Sequence, residues 1–171
     1  NTFIAMMTSE VGIENAGLFF IVGTIFVFIS RPFGGRIFDS KGGFWVILPG
    51  GILYLIGLGI LVSAQSLTVL LVASVFYGFG GGLLLPSLMT WMLNVVTPDR
   101  RSGASATFYN MLDIGTSSGI ILLGSVAGSI GYVNMYYYVI GVMVIFIAFF
   151  MFNHFVLQKK VKKQNQQEEL A

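Results

Sequence analysis

Charge is distributed along this chain in a way that excludes most soluble folds. Of its 171 residues, 56% are hydrophobic and only 9% are charged, whereas soluble domains are about a quarter charged. There is no charged residue between Gly42 and Pro98, and the only carboxylate between Ser102 and Gln158 is Asp113. A surface that faces water needs polar side chains. The sequence therefore predicts a protein whose solvent is the lipid bilayer.

Five apolar runs approach or exceed the length of about 20 residues that a membrane-spanning helix needs. Backbone polar groups in lipid must be satisfied within the segment, which favours helices. We predict an all-α membrane protein, a polytopic transmembrane helical bundle of five full spans preceded by a partial N-terminal helix. The bundle is expected to cover 1–157, followed by a polar tail at 158–171. The predicted spans are about 16–30, 43–62, 67–96, 98–130 and 132–155.

The basic residues predict an orientation. All nine Lys and Arg residues fall after the first, third or fifth predicted span, which puts them on one side of the membrane. Cytoplasmic loops carry the excess of Lys and Arg, so these loops and the C-terminus are predicted to be cytoplasmic. We expect a multi-pass protein of the cell (inner) membrane. We expect the basic residues to lie beside the lipid bilayer and not to bind nucleic acid.

The first basic segment is predicted to be a loop over Ser30–Gly43, because Pro32 and the paired glycines after it can end a helix. Within it, Gly35, Asp39 and Gly42 have the spacing Gly-x-x-x-Asp-x-x-Gly. Arg31 precedes this motif and Arg36 lies within it.

That motif resembles the cytoplasmic signature loop of the Major Facilitator Superfamily. A glycine-rich third span and the Arg100-Arg101-Ser102-Gly103 entry to the fourth add to the resemblance. The order of features is similar to the C-terminal half of a bacterial efflux-type member, helices eight to twelve. The resemblance implies alternating access around a midplane site, with the other half of the transporter as a partner. The loop departs from the family pattern at Ser40, where a basic residue is frequent.

Asp113 is the candidate proton-coupling residue. At about 1.5 Å per residue it lies roughly 18 Å along a helix from Arg101, near the middle of a ~30 Å hydrocarbon core. A carboxylate at that depth is costly and should face a cavity or a partner. The alternative is a buried aspartate that fixes helix packing.

Other polar residues on the third and fourth spans are predicted to line a cavity. The glycines from Gly78 to Gly82, with Pro86, indicate either a bending, cavity-lining helix or close helix packing. The glycines of the fourth span, from Gly115 to Gly128, are interpreted as packing positions. The cavity-lining candidates are Tyr77, Thr90, Tyr109, Asn110 and Thr116.

The predicted function is secondary active transport, not enzymatic catalysis. We expect proton-coupled efflux or exchange (antiport) of a small molecule, with substrate and protons as partners. The chain has no cysteine, no Gly-Lys-Ser/Thr phosphate loop and no metal-ligand spacing around His154, so we predict no cofactor and no metal. A self-contained helical membrane scaffold or an oligomeric channel remains the alternative.

Overall fold

The computed structural model describes the backbone of residues 3–168 and the side chains of residues 3–156. The described part is a bundle of α-helices, and five of its helical segments are long and apolar enough to cross a membrane. The all-α class and the predicted number of five spans are confirmed. The helices are α1 (Ile4–Val11), α2 (Gly17–Lys41), α3 (Phe44–Val62), α4 (Leu67–Val95), α5 (Arg101–Ile130) and α6 (Tyr132–Glu168), with a short 3-10 helix at Pro98–Arg100 before α5.

The loop predicted over Ser30–Gly43 is wrong, because α2 continues through it as far as Lys41. Pro32 lies inside the helix, which membrane helices tolerate when their neighbours satisfy the freed backbone groups. Of the paired glycines, Gly34 serves packing, since a Cβ atom there would lie 2.8 Å from the Leu83 side chain of α4, whereas a Cβ atom at Gly35 would meet no described atom within 4 Å. The chain turns only at Gly42, whose positive φ of 88° suits a residue without a Cβ atom.

Close packing around α4 holds the centre of the bundle together. A Cβ atom at Gly78 would lie 2.8 Å from the Cα atom of Gly23 on α2. On another side of α4, a Cβ atom at Gly80 would lie 2.7 Å from the carbonyl oxygen of Gly50 on α3. Close packing, one of the two alternatives for the glycine-rich span, is therefore observed, and Gly78 and Gly82 also line a cavity that is described below. Small residues at these positions let three backbones approach one another.

Aromatic stacking marks one end of the bundle. The ring of Phe44, at the start of α3, stacks on the imidazole of His154 in α6 with centroids 3.7 Å apart. At this same end α2 finishes at Lys41 and α5 begins at Arg101. We call it the basic end.

At the opposite end, the α1 region contacts the start of α6 through a hydrogen bond and an aromatic contact. A carboxylate oxygen of Glu10 accepts a 2.8 Å hydrogen bond from the backbone N–H of Tyr132. The rings of Phe3 and Tyr132 also approach, with centroids 6.0 Å apart. Glu10 thereby satisfies a free N–H group at a helix N-terminus, where negative charge is favourable.

Helix α5 is the most exposed spanning helix, and Ala127 is its only buried residue in the described structure. Cβ atoms at Gly115, Gly119 and Gly128 would meet no described atom within 4 Å, so the close packing predicted for these glycines is not made among the described residues. The α6 backbone remains helical as far as Glu168. The side chains of the tail predicted at 158–171 lie outside the described residues.

Candidate substrate cavity

A cavity of about 560 Å³ lies between α2, α4 and α5, with Tyr54 of α3 at its wall. Along α2 the lining runs from Phe19 to Arg31, and along α4 it runs from Tyr77 to Met89. The volume falls within the range of about 300–1,000 Å³ that is typical of small-molecule sites.

The wall of this cavity is largely aromatic. The rings of Phe19 and Tyr77 lie 5.6 Å apart, and those of Tyr54 and Tyr77 lie 4.4 Å apart. Tyr54 donates a 2.7 Å hydrogen bond from its hydroxyl to the hydroxyl of Tyr77. Such a wall offers flat apolar surface with a few fixed polar groups. Its aromatic residues are Phe19, Phe20, Tyr54, Tyr77, Phe108 and Tyr109.

Arg31 is the one charged side chain among the described residues that line the cavity. Its guanidinium carbon lies 5.5 Å from the ring centre of Phe28, one turn earlier on α2, in a cation–π arrangement. Because α2 is continuous, this arginine belongs to the helix and not to a loop.

A second cavity, of about 160 Å³, lies between α2 and α4 nearer the basic end. Three residues of the predicted signature loop, Arg31, Gly35 and Asp39, line it together with Thr90 of α4. The motif therefore lies on the last turns of α2, facing α4. Among the described side chains, Arg36 lines neither cavity, and neither does Gly42.

Asp113 is exposed on α5 and lines neither cavity, although its neighbour Leu112 lines the larger one. Thr116 donates its hydroxyl hydrogen bond to the backbone oxygen of Asp113, at 3.1 Å, and not to the carboxylate. The packing alternative, a buried aspartate bonded to neighbouring helices, is therefore not found within the described structure.

Of the five predicted cavity-lining residues, Thr90 lines the smaller cavity, and the other four fall into two groups. Tyr77 and Tyr109 line the larger cavity, and Tyr109 donates a 3.5 Å hydrogen bond to the sulfur of Met89, which joins α5 to α4. Asn110 and Thr116 are exposed on α5 and line neither cavity.

Sequence reasoning missed Tyr54 and the stripe on α2. The stripe could have been found, because Phe20, Thr24, Val27 and Arg31 follow the helical repeat of three and four residues. The predicted loop after Ser30 cut this pattern short. Nothing local to Tyr54 indicates its partner on the next helix.

Five spanning helices, four of which line an aromatic cavity, define a polytopic membrane protein with room for a small molecule. The model of the Major Facilitator Superfamily matches residues 1–171 of the chain. The chain therefore belongs to this superfamily of membrane transporters, and it is a multi-pass membrane protein.

Individual relatives differ in what they are described as moving. The chain is 28% identical over 139 residues to the proton-coupled antiporter flippase LtaA of Staphylococcus saprophyticus, covering 80% of this chain and 35% of the relative. It is 28% identical over 111 residues to multidrug resistance protein 3 of Bacillus subtilis, covering 65% and 22%. It is 29% identical over 132 residues to the probable nitrate transporter NarT of Staphylococcus carnosus, covering 75% and 32%.

The matched regions thus span about a third or less of the length of these relatives. No solved structure matches the chain.

Proposed function

We propose that this chain forms the C-terminal half of a proton-coupled secondary transporter that exports or exchanges a small molecule. The complete transporter would consist of this chain together with the other half, and access to the cavity would alternate as the halves rock. The basic end and the C-terminus would face the cytoplasm of a bacterial cell.

The observation that carries this proposal is the aromatic cavity between α2, α4 and α5. Its α5 side is built by Phe108, Tyr109 and Leu112, on a helix with Ala127 as its only buried residue in the described structure. A second half placed against this helix would enclose the cavity between the two halves. That arrangement is the one expected of a transporter whose substrate site lies between repeats.

Asp113 is proposed as the proton-coupling group. It lies on the exposed face of α5, one residue from the cavity wall, and its carboxylate accepts no hydrogen bond from the described side chains. An ionisable group in a span marks a proton or substrate path by default. The motif residues Arg31, Gly35 and Asp39 would adjust how the end of α2 moves against α4 during the cycle.

Filling the cavity tests this function. Thr24 lines the cavity on α2, whereas Ile21 on the same helix is exposed and does not. In proteoliposomes with an imposed pH gradient, the complete transporter carrying Thr24→Trp should lose at least about tenfold of its flux of ethidium or 8-anilinonaphthalene-1-sulfonate. Ile21→Trp should retain that flux.

Three outcomes bear on the proposal. Equal flux in the two variants would contradict the location of the substrate path, and no proton-dependent flux of either dye in the unmodified transporter would contradict the function. The 171-residue chain alone should move neither dye. Transport by this chain alone would favour the self-contained channel instead.

A further inference from the structure

The continuity of α2 places a permanent positive charge inside a spanning helix. Arg31 lies roughly 15 Å along the helix from Lys41, counting about 1.5 Å per residue. A charged side chain within a membrane span is costly and marks a substrate or ion path by default. An arginine in a loop would not indicate such a path. Because Arg31 lies in α2 and not in a loop, it becomes a candidate for contact with a substrate or an ion.

No carboxylate neutralises Arg31 in the described structure. Its recorded contact is with the ring of Phe28, and no described side chain forms an ion pair with it. The guanidinium is exposed and borders both cavities. It therefore retains its five N–H donors for an anion.

Apart from Arg31, the lining of the larger cavity is suited to the apolar part of a substrate. Its described lining has aromatic rings on α2, α3, α4 and α5, together with apolar side chains such as Leu85 and Leu112, and it includes no carboxylate. A cationic substrate would find no opposite charge on this wall. An anionic one would find a single, localised partner.

The cation lies towards one end of the cavity. The α2 lining extends from Phe19 to Arg31, which is roughly 18 Å at about 1.5 Å per residue. Pro86 and Met89 on α4 also line this region, on the basic side of Tyr77. An elongated molecule would place its charged group at Arg31 and its apolar part beside Tyr77.

We propose that the cavity binds an amphipathic organic anion, whose sulfonate, carboxylate or phosphate group pairs with Arg31 and whose flat apolar body lies among the aromatic rings. Its transport rests on the proposed function above, but its binding does not. A guanidinium forms two parallel hydrogen bonds to such groups, and the rings accept the apolar body without requiring one exact shape.

Two probes with the same aromatic body and opposite charge test this inference. Binding of 2-naphthalenesulfonate and trimethyl(2-naphthyl)ammonium to the complete transporter would be measured by equilibrium dialysis in neutral detergent at about 150 mM salt. The sulfonate should bind at least about tenfold more tightly. Arg31→Gln should weaken sulfonate binding about tenfold and leave ammonium binding unweakened, whereas Arg31→Lys should restore part of the loss.

Lys41→Gln removes the same charge from the end of α2, away from both cavities, and should not change sulfonate binding. Equal affinities for the two probes, an unchanged Arg31→Gln variant, or an equal loss in Lys41→Gln would overturn the inference. Melting temperatures of the variants in detergent would exclude misfolding as the cause of a loss.

Two further measurements distinguish a failure of this site from a failure of the proposed function, and a lipid headgroup from a free organic anion. Sulfonate binding that depends on Arg31 without any proton-linked flux would contradict the proposed function and uphold this site. Displacement of the sulfonate by phosphatidylglycerol, only when Arg31 is present, would assign the anion to a lipid headgroup. Retention of the sulfonate would assign it to a free organic anion.

Discussion

The hydroxyl of Tyr54 on α3 donates a 2.7 Å hydrogen bond to the hydroxyl of Tyr77 on α4, at the wall of the aromatic cavity. Their rings lie 4.4 Å apart, so the two helices share both an aromatic contact and a polar one. This pair gives the cavity a fixed polar point among apolar surfaces.

Removing the donor should weaken the helix pair. Tyr54→Phe retains the ring and deletes the hydroxyl, so the free energy of unfolding should fall by about 1 kcal/mol, the usual net value of a hydrogen bond. Unfolding in mixed micelles measures it. Tyr138→Phe is the matched control, because Tyr138 is exposed on α6. An equal loss of unfolding free energy in the two variants would show that this hydrogen bond does not stabilise the helix pair.

The contact between Gly78 and Gly23 predicts a larger effect. A methyl group at Gly78 would overlap the backbone of α2, so Gly78→Ala should destabilise the bundle by about 1–3 kcal/mol, the range for overpacking. Gly59→Ala adds the same methyl group to a helix where nothing lies within 4 Å. It should be neutral or stabilising, because alanine favours helix. Thermal unfolding of the two variants decides whether α2 and α4 approach this closely.

Glu10 predicts a local effect at the start of α6. Glu10→Gln weakens the hydrogen bond to the N–H of Tyr132 and removes a negative charge from a helix N-terminus, at a cost of about 1 kcal/mol. Hydrogen exchange of the Tyr132 amide should therefore accelerate several-fold. Glu14→Gln, at an exposed position outside the helices, should leave that exchange unchanged. Identical exchange in both variants would show that the contact contributes nothing.

The proposed orientation can be tested by labelling single introduced cysteines, since the chain has no cysteine of its own. A cysteine at Gln65, between α3 and α4, should react with an impermeant thiol reagent added outside intact cells. Cysteines at Ser40 and Asp99, near the basic end, should react only after the membrane is permeabilised. The reverse pattern would invert the proposed topology.

The number of spans could be predicted from sequence because apolar length is a local property. The course of α2 could not, since Pro32 and the glycines after it break helices in water, whereas here α4 covers the same segment. Gly34 illustrates the reason. Its role is set by Leu83, a residue far away in the chain.

Only some of the residues that line the cavity could be predicted from the sequence. Tyr77 and Tyr109 could be chosen as polar aromatic residues on helices that were expected to line a path. The position of Tyr54 at the cavity depends on which helix faces are brought together, and that is decided by backbone contacts such as Gly80 against Gly50. Helical periodicity alone does not specify which stripes meet.

The measurement that tests the proposed mechanism most directly is proton-driven transport by the complete transporter carrying Asp113→Asn. Asparagine keeps the size and polarity of the side chain but cannot carry the proton. In proteoliposomes with an imposed pH gradient, uphill accumulation of substrate should fall at least about tenfold, while downhill exchange persists. Asp99→Asn, in the 3-10 turn before α5, is the control and should accumulate substrate normally. Full pH-dependent accumulation by Asp113→Asn would contradict the account and place the coupling group elsewhere.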